Sequence, residues 1–409
     1  MKNPHHKHGA RRHFLLTAGA AAASFAAQPL SSIAANTEEQ AFENGTRELV
    51  RYPQKRPLML ITTRPPHLET PFSIFNESAL TPNDAFFVRY HLANLPLSID
   101  AGSYRLKIDG KVNTPLSLTL AELKALAPAV EVVAVNQCSG NSRGFSQPRV
   151  FGAQLGNGSM GNASWTGVPL KAVLEKAGIM ADARQVTFKG LDEPVLPSTP
   201  QFIKALDIEH ALNGEPIIAW AMNGEDLPFL NGYPLKLIVP GYFGTYWVKH
   251  LSQIEVLDHV YQGFFMSTAY RLPDNPCECV APGAAPDKTH PIGKLKIRSF
   301  ITNLTDKTQV AKGAPLKLQG IAFDGGAGIK TVELSLDQGK TWHSAKLAKD
   351  LGQYSFRQWR HTVVPSHPGE LQLLVRATSN SGETQPTQQS WNPGGYMRNV
   401  IESKTVIVA

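Results

Sequence analysis

The sequence predicts an α+β domain followed by an all-β sandwich of immunoglobulin-like size. Three observations carry this. Up to about residue 270, short strand-like runs alternate with short helical ones. A Pro/Gly-rich stretch from Arg271 to Pro286 then breaks the pattern. Beyond it, alternating runs are separated by Asp-Gly-Gly and Asp-Gln-Gly turns. The expected organisation is a signal segment over 1–34, a catalytic domain over 35–285 and a sandwich over 286–409. No internal repeat is visible.

Taken in order, residues 1–34 read as an export signal. Arg11-Arg12-His13-Phe14-Leu15 has the twin-arginine form, and the apolar stretch from Phe14 to Ala27 is too short to span a bilayer. Ser32-Ile33-Ala34 offers a small-residue cleavage site. An ordinary secretory signal with two incidental arginines is the alternative. Twin-arginine export carries folded proteins, so the segment predicts a periplasmic enzyme loaded with its cofactor before export.

Residues 35 to about 57 are polar and predict an extended arm, and the prolines around 65–71 exclude a long helix there. Tyr104–Gly110 alternates and ends in a turn signal, predicting a strand. Ser117–Leu123 offers an N-cap and a short helix, with Leu120 and Leu123 three apart. Val130–Val135 is an apolar run of buried-strand length that delivers Cys138 to a strand end. A second short helix is expected over Val168–Ala177. Strands are expected at Val186–Gly190 and Leu235–Pro240, and, in the sandwich, at Leu295–Ser299, Val332–Leu336 and Leu371–Val375.

The 409 residues are 42% hydrophobic and 18% charged, an ordinary globular composition with room for two or three domains. The formal charge of +7 overstates the mature protein. Without Lys2, Lys7, Arg11 and Arg12, 36 basic residues face 33 acidic ones, or +3. This balance gives no reason to invoke nucleic acid and suits an anionic substrate or an acidic partner. No stretch after the N-terminal segment is apolar enough for a membrane span.

Three cysteines are present. Cys277 and Cys279 are two apart and read either as a disulfide or as two free thiols. Cys138 is left over, in Asn136-Gln137-Cys138-Ser139-Gly140-Asn141-Ser142-Arg143. Packing is the commoner fate of a free cysteine. A lone thiol among Asn, Ser, Gly and Arg instead suits a single thiolate offered to a thiophilic metal otherwise held by its cofactor.

With this loop stand three further segments: Phe86-Phe87-Val88-Arg89-Tyr90-His91, Leu227–Lys249 containing Asn231-Gly232-Tyr233-Pro234-Leu235-Lys236 and Trp247-Val248-Lys249, and Trp165-Thr166-Gly167-Val168-Pro169-Leu170. Together they resemble the sulfite oxidase family of molybdopterin enzymes over nearly the whole mature chain, and most resemble its periplasmic sulfite dehydrogenases. The resemblance implies a sulfite oxidase fold, with a dimerisation-type sandwich, and one molybdenum–molybdopterin cofactor bonded to Cys138. It implies that Phe87, Val88, Arg89, Tyr90, His91, Asp192, Asn231, Lys236, Trp247, Val248 and Lys249 hold the pyranopterin and its phosphate. Asn231 and Lys236 stand where the family pattern has His and Arg; Lys cannot make the bidentate fork of Arg. Arg89, His91, Arg143 and Tyr270 are implied as the substrate residues. The implied reaction is oxidation of sulfite to sulfate by oxygen-atom transfer.

No Cys-x-x-Cys-His haem attachment motif occurs, so the expected electron acceptor is a separate c-type cytochrome, as a subunit or a transient partner. A homodimer and a heterodimer with a haem subunit are both compatible with the sandwich. Two rival readings are a periplasmic molybdopterin reductase of methionine sulfoxide, which the C-terminal sandwich argues against, and a non-catalytic secreted β-rich binding protein.

Overall fold

The computed structural model describes residues 39–42 and 45–409. The signal-segment reading for 1–34 lies outside the described residues. Among the described residues no helix is long and apolar enough to cross a membrane.

Three sheets build the catalytic half. The first is an antiparallel meander in the order Glu39–Phe42, Gly45–Val50, Leu58–Thr62, His67–Glu69 and Val88–Arg89. The second runs Ile203–Asp207, Gln185–Gly190, Leu251–Leu257, Leu106–Gly110 and Leu116–Leu118, with one parallel pairing, between Leu251–Leu257 and Leu106–Gly110. The third runs Glu225–Asp226, Ile217–Met222, Met160–Pro169 and Val130–Gln137, with Lys236–Ile238 also paired to Ile217–Met222.

Local chemistry explains the short helices. Thr119 caps Leu120–Leu126 in a reciprocal box with Glu122, so the cap falls two residues later than Ser117. Leu116–Leu118 is instead a strand beside Leu106–Gly110. Leu170–Ala177 buries Leu170, Val173, Leu174 and Ala177, the i, i+3, i+4, i+7 stripe of a core-facing helix. It ends at Gly178, whose φ of +71° requires a residue without a Cβ penalty. Val168 and Pro169, expected inside this helix, close the strand before it.

Two further expectations are corrected. The polar arm is not free: residues 45–50 pair with Leu58–Thr62, and Lys55 is buried. Backbone pairing needs no apolar side chains, so composition alone hid it. The Arg271–Pro286 stretch begins as a strand, Arg271–Pro273, paired with Thr289–Pro291 and held by Arg271 donating to Thr289 Oγ1 at 2.7 Å. Cys277 and Cys279 are joined in a disulfide.

The C-terminal half is a sandwich of two sheets. One orders Arg298–Ile301, Leu316–Phe323, Arg357–Val363 and Lys346–Leu347. The other orders Thr308–Val310, Glu402–Val408, Gly369–Ser379, Ile329–Ser335 and His343–Ser344. Ile297, Leu318, Val332, Trp359, Leu373 and Val406 fill the space between. The sandwich is also locked onto the catalytic half. Phe72 meets Phe300 edge-on at 5.4 Å, Phe75 meets Phe356 at 5.7 Å, and Val135 N donates to Tyr354 O at 2.9 Å. Phe300, Phe323 and Phe356 thus belong to the catalytic core.

Trp359 is fully buried, and its indole lies so close over Gly320 that a Cβ there would fall 2.4 Å from the ring. Replacing Trp359 with Ala is expected to cost about 3–5 kcal/mol of stability, read from denaturant unfolding. A loss within 0.5 kcal/mol would show that this ring does not hold the sandwich core.

Candidate active site

The cysteine loop is fixed before any ligand is considered. The strand Val130–Gln137 is exposed at its start and buried at its end, and it delivers Cys138 into the interior. Cys138 N donates to Ser159 O at 2.9 Å, and Ser159 N donates back to Asn141 Oδ1 at 3.0 Å. Asn141 N closes a turn on Cys138 O at 3.0 Å, and Ser142 turns through φ +72°. The Arg143 guanidinium packs close over Gly140, where a Cβ would lie 2.6 Å from Nη2 and the arginine would have to shift.

Behind the loop Ser159 Oγ donates to Glu69 Oε1 at 2.7 Å and lies 2.8 Å from His67 Nε2. All three side chains are buried. Burial pushes the Glu69 carboxyl up to about 7 against the lowering effect of Ser159, and burial with the charges of Arg89, Arg143 and Lys249 keeps His67 neutral. A buried polar network of this kind ties the loop to the strand His67–Glu69.

The loop opens on a cleft whose wall is shared with the Phe86–His91 segment, Asp192, Asn231, Lys236 and the Gly244–Lys249 segment. Of the residues expected at the site, Phe87, Arg89, Tyr90, His91, Cys138, Asp192, Asn231, Lys236, Trp247, Lys249 and Tyr270 line it. Cys138 is a half-buried free thiol. Three expected residues do not line the cleft. Val88 belongs to a small core with Leu58, Leu68 and Tyr90, and Val248 is buried in the main core. Arg143 sits behind the loop, where Nε donates to Gly394 O at 2.8 Å and the guanidinium lies 5.2 Å from the Tyr396 ring.

The cleft has a cationic character. Arg89, Lys236 and Lys249 line it against one carboxylate, Asp192. Lys249 Nζ donates to Arg89 O at 2.5 Å and lies 3.0 Å from the centre of the Tyr90 ring. Lys236 Nζ sits 4.5 Å from the Trp165 ring and 5.6 Å from Trp247, a cation held over aromatic faces. It has no hydrogen-bond or ion-pair partner among the described residues, and the same holds for the Arg89 guanidinium. Burial, then repulsion from Lys55, lowers the Lys236 ammonium to about 7. Burial, then Lys236, lowers Lys249 well below the usual lysine range, with Asp192 opposing. Burial raises the Asp192 carboxyl, and Lys249 counters it.

At the other end, Tyr270 Oη and His91 Nε2 are 2.5 Å apart. His91 stacks on Phe202 at 3.7 Å and is kept neutral by burial and by the charges of Arg89 and Lys249. Burial raises the Tyr270 phenol, so neither partner is charged near neutrality. Tyr270 is held at φ +60°, a conformation few non-glycine residues adopt, and its ring stacks on Tyr396 at 5.4 Å. Nearby, His250 Nδ1 must donate to the Tyr233 carbonyl at 2.6 Å, so its Nε2 accepts the Tyr90 hydroxyl at 2.7 Å. Burial lowers His250 to about 4, in keeping with that neutral form.

The wall also contains polar atoms with no internal partner. Asn136 Oδ1, Ser139 Oγ and Thr245 Oγ1 are buried and unpaired. Such atoms are costly unless a ligand satisfies them. Gly244 is required beside them, because a Cβ would fall 2.2 Å from Asn136 Oδ1. Unpaired donors and acceptors, unmatched cations and one thiol fit a polar, anionic cofactor that carries a sulfur-seeking metal. Cys138 would be the metal ligand, with Lys236, Lys249, Asn231 and Thr245 at the anionic end.

Sequence reasoning missed Phe86, Asn136, Ser139, Phe202, Gly244 and Thr245 in the wall, and Lys55 and Tyr396 just behind it. Asn136 and Ser139 flank the cysteine and were within reach of the loop argument. Lys55 and Tyr396 lie far along the chain in segments whose composition carries no signal.

Comparison with known proteins agrees with this geometry. A family model of the oxidoreductase molybdopterin binding domain matches residues 92–265, and one of the Mo-co oxidoreductase dimerisation domain matches residues 289–407. The sulfite oxidase of Gallus gallus is 31% identical over 361 residues, covering 84% of this chain and 77% of that protein. The sulfite oxidase of Arabidopsis thaliana is 30% identical over 384 residues, covering 86% and 95%. The crystal structure of the sulfane dehydrogenase SoxCD from Paracoccus pantotrophus shares the fold, with a TM-score of 0.72 at 24% identity over 91% of this chain and 88% of that one. The chain belongs to the sulfite oxidase family and is a molybdenum-dependent oxidoreductase carrying a molybdopterin cofactor, which removes the reading as a non-catalytic binding protein.

The unmatched lysines make a linkage prediction. Lys236 loses its proton near 7 in the folded chain and near 10.5 unfolded. Between those values the unfolded chain binds more protons, so stability rises with pH across that window. Protein stripped of its anionic ligand is expected to melt at higher temperature near pH 9 than near pH 7, and Lys236→Met is expected to flatten the rise. Calorimetry in a phosphate-free buffer reads both, and an unchanged slope in the variant would refute the buried ammonium.

Proposed function

We propose that this enzyme oxidises sulfite to sulfate by oxygen-atom transfer. Two electrons leave one at a time to a separate c-type cytochrome in the periplasm, which the folded, loaded chain reaches by the twin-arginine route. The mature chain would begin near Ala35, with the catalytic part to about 285 and the sandwich beyond it available for pairing with a second subunit.

The observation that carries this reading is the Arg89 guanidinium in the wall of the Cys138 cleft, with no hydrogen-bond or ion-pair partner among the described residues. Sulfite near neutrality is a small dianion, and holding it out of water takes fixed, charged donors. Arg89 supplies them from one side. Lys249 pins the Arg89 carbonyl, which fixes where that side chain leaves the strand. When bound, the molybdenum cofactor supplies the transferred oxygen atom and the two-electron couple. The reaction consumes one water and releases two protons with the two electrons. The neutral Tyr270–His91 pair is suited to hold and pass one such proton at Tyr270 Oη, while Phe202 and Tyr396 keep both rings in place. Arg143 acts from behind the wall as a charge and as a support for the cysteine loop. The family match over residues 289–407 speaks against the methionine sulfoxide reductase reading.

Replacing Cys138 with Ser is expected to leave the fold intact and abolish sulfite-dependent reduction of cytochrome c, with molybdenum counted in parallel. Wild-type protein that carries molybdenum yet leaves sulfite unoxidised would end the substrate assignment. Replacing Arg89 with Gln is expected to raise the KM for sulfite and lower kcat/KM by about 1.5–3 kcal/mol, the worth of a charged hydrogen bond. An unchanged KM and kcat/KM would remove Arg89 from the substrate site.

A further inference from the structure

Lys55 is a buried cation that this reaction leaves unused. It precedes the first family-model match at residue 92 and comes from the docked arm. Its Nζ donates to Asn83 O at 2.6 Å, Phe86 O at 3.0 Å and Asn231 Oδ1 at 2.5 Å. An amine has two N–H groups and an ammonium three, so all three acceptors are satisfied only by the charged form.

The consequence falls on Asn231. Its Oδ1 is taken by Lys55, and its Nδ2 donates to Phe87 O at 3.0 Å. An amide nitrogen carries two N–H groups, so one remains, and Asn231 lines the cleft beside Lys236. The reversed amide would turn its carbonyl toward the cleft and set its NH₂ against the Lys55 ammonium, donor against donor. Lys236, 2% exposed and without a hydrogen-bond partner, lines the same cleft, as does Thr245 with its unpaired hydroxyl. Several cations and N–H donors converging with Asp192 as the one carboxylate in the wall is the chemistry of a phosphate group.

We propose that Lys55 is a positioning residue for the phosphate-bearing end of the cofactor: it locks the Asn231 amide with an N–H toward the cleft and adds positive potential behind Lys236 and Lys249. This rests on the molybdopterin assignment and not on the identity of the substrate. The arm thereby becomes part of the cofactor site. The charged groups that bear on Lys55 are Asp84, itself paired with Arg56 at 2.8 Å, and the ammonium groups of Lys236 and Lys249. Burial lowers Lys55 itself to about 7, with Asp84 opposing. A bound anion favours the protonated lysines, so retention of the cofactor weakens as pH rises through that region.

The test uses the full chain purified with its cofactor. Molybdenum and pterin per chain, and the rate of pterin loss near pH 6.5 and near pH 8.5, are measured without sulfite for wild type, Lys55→Met, Lys55→Gln and Lys55→Arg. Wild type is expected to lose pterin faster at the higher pH. The Met variant should lose it about tenfold faster or more, as for a lost charged hydrogen bond, with a weaker pH response. The Gln variant should fall between them, because its amide still donates to Asn231 Oδ1, and the Arg variant should stay near wild type. Loss from the Met variant at the wild-type rate and pH response would overturn the proposal. Equality of the Gln and Met variants would overturn its amide-orienting part. If the Met variant does not fold, the order of Gln and Arg against wild type decides. A loaded wild type that does not oxidise sulfite would defeat the substrate reading and leave this result standing.

Discussion

The structure depends on keeping several cations out of water around one cleft. Arg89, Lys236 and Lys249 line it, and Lys55 stands behind, with Asp192 as the one carboxylate in the wall. Taking an ammonium out of water is expensive, and clustering like charges adds to the cost. The protein meets part of it with oriented groups: carbonyls of Asn83, Phe86 and Arg89 for Lys55 and Lys249, and the faces of Tyr90, Trp165 and Trp247 for Lys249 and Lys236. The rest is left for an anion. A site built at this cost to folding is preorganised for its ligand, because the donors are already desolvated and aimed.

Holding those groups still is the work of the scaffold. Ser159 clamps the cysteine loop through both its backbone groups, and its hydroxyl is tied to Glu69 and His67. Cys138 therefore needs no ligand to fix its loop. The sandwich takes part as well. Met397 N donates to Ser139 O at 3.1 Å, Gly394 O receives Arg143, and Tyr396 stacks on Tyr270. Val280 N donates to Trp391 O at 3.0 Å, so the turn carrying the Cys277–Cys279 disulfide braces the same segment from its outer side. The C-terminal half thus backs the wall of the active site.

Much of this was legible in the linear chain. The apolar run ending at Cys138 and the stripe of Leu170–Ala177 report periodicity, which acts over a few residues. Other features depended on the folded chain. Residues 39–42 and 45–50 come from a largely polar segment yet lie in a sheet, because backbone groups make the ladder. Val88 and Val248 flank wall residues with their side chains in the core, which leaves their backbone as the part that can face the cofactor. Arg143 follows Cys138 by five residues, and its guanidinium is held by Gly394 O and lies near the Tyr396 ring, partners far along the chain.

By itself the sequence determined which chemistry was available: a thiol without a disulfide partner, a Phe-Phe-x-Arg-x-His segment, and lysines set among aromatics and glycines. These are matters of residue identity and short-range spacing. Only the tertiary structure decided which cations share one low-dielectric end, which way the Asn231 amide points, and that Lys55 and Tyr396 stand beside residues far away in the chain. Those outcomes depend on contacts across 176 residues for Lys55 with Asn231 and 251 for Arg143 with Gly394. Electrostatic and hydrogen-bond energies follow distance in space, and distance along the chain does not set them.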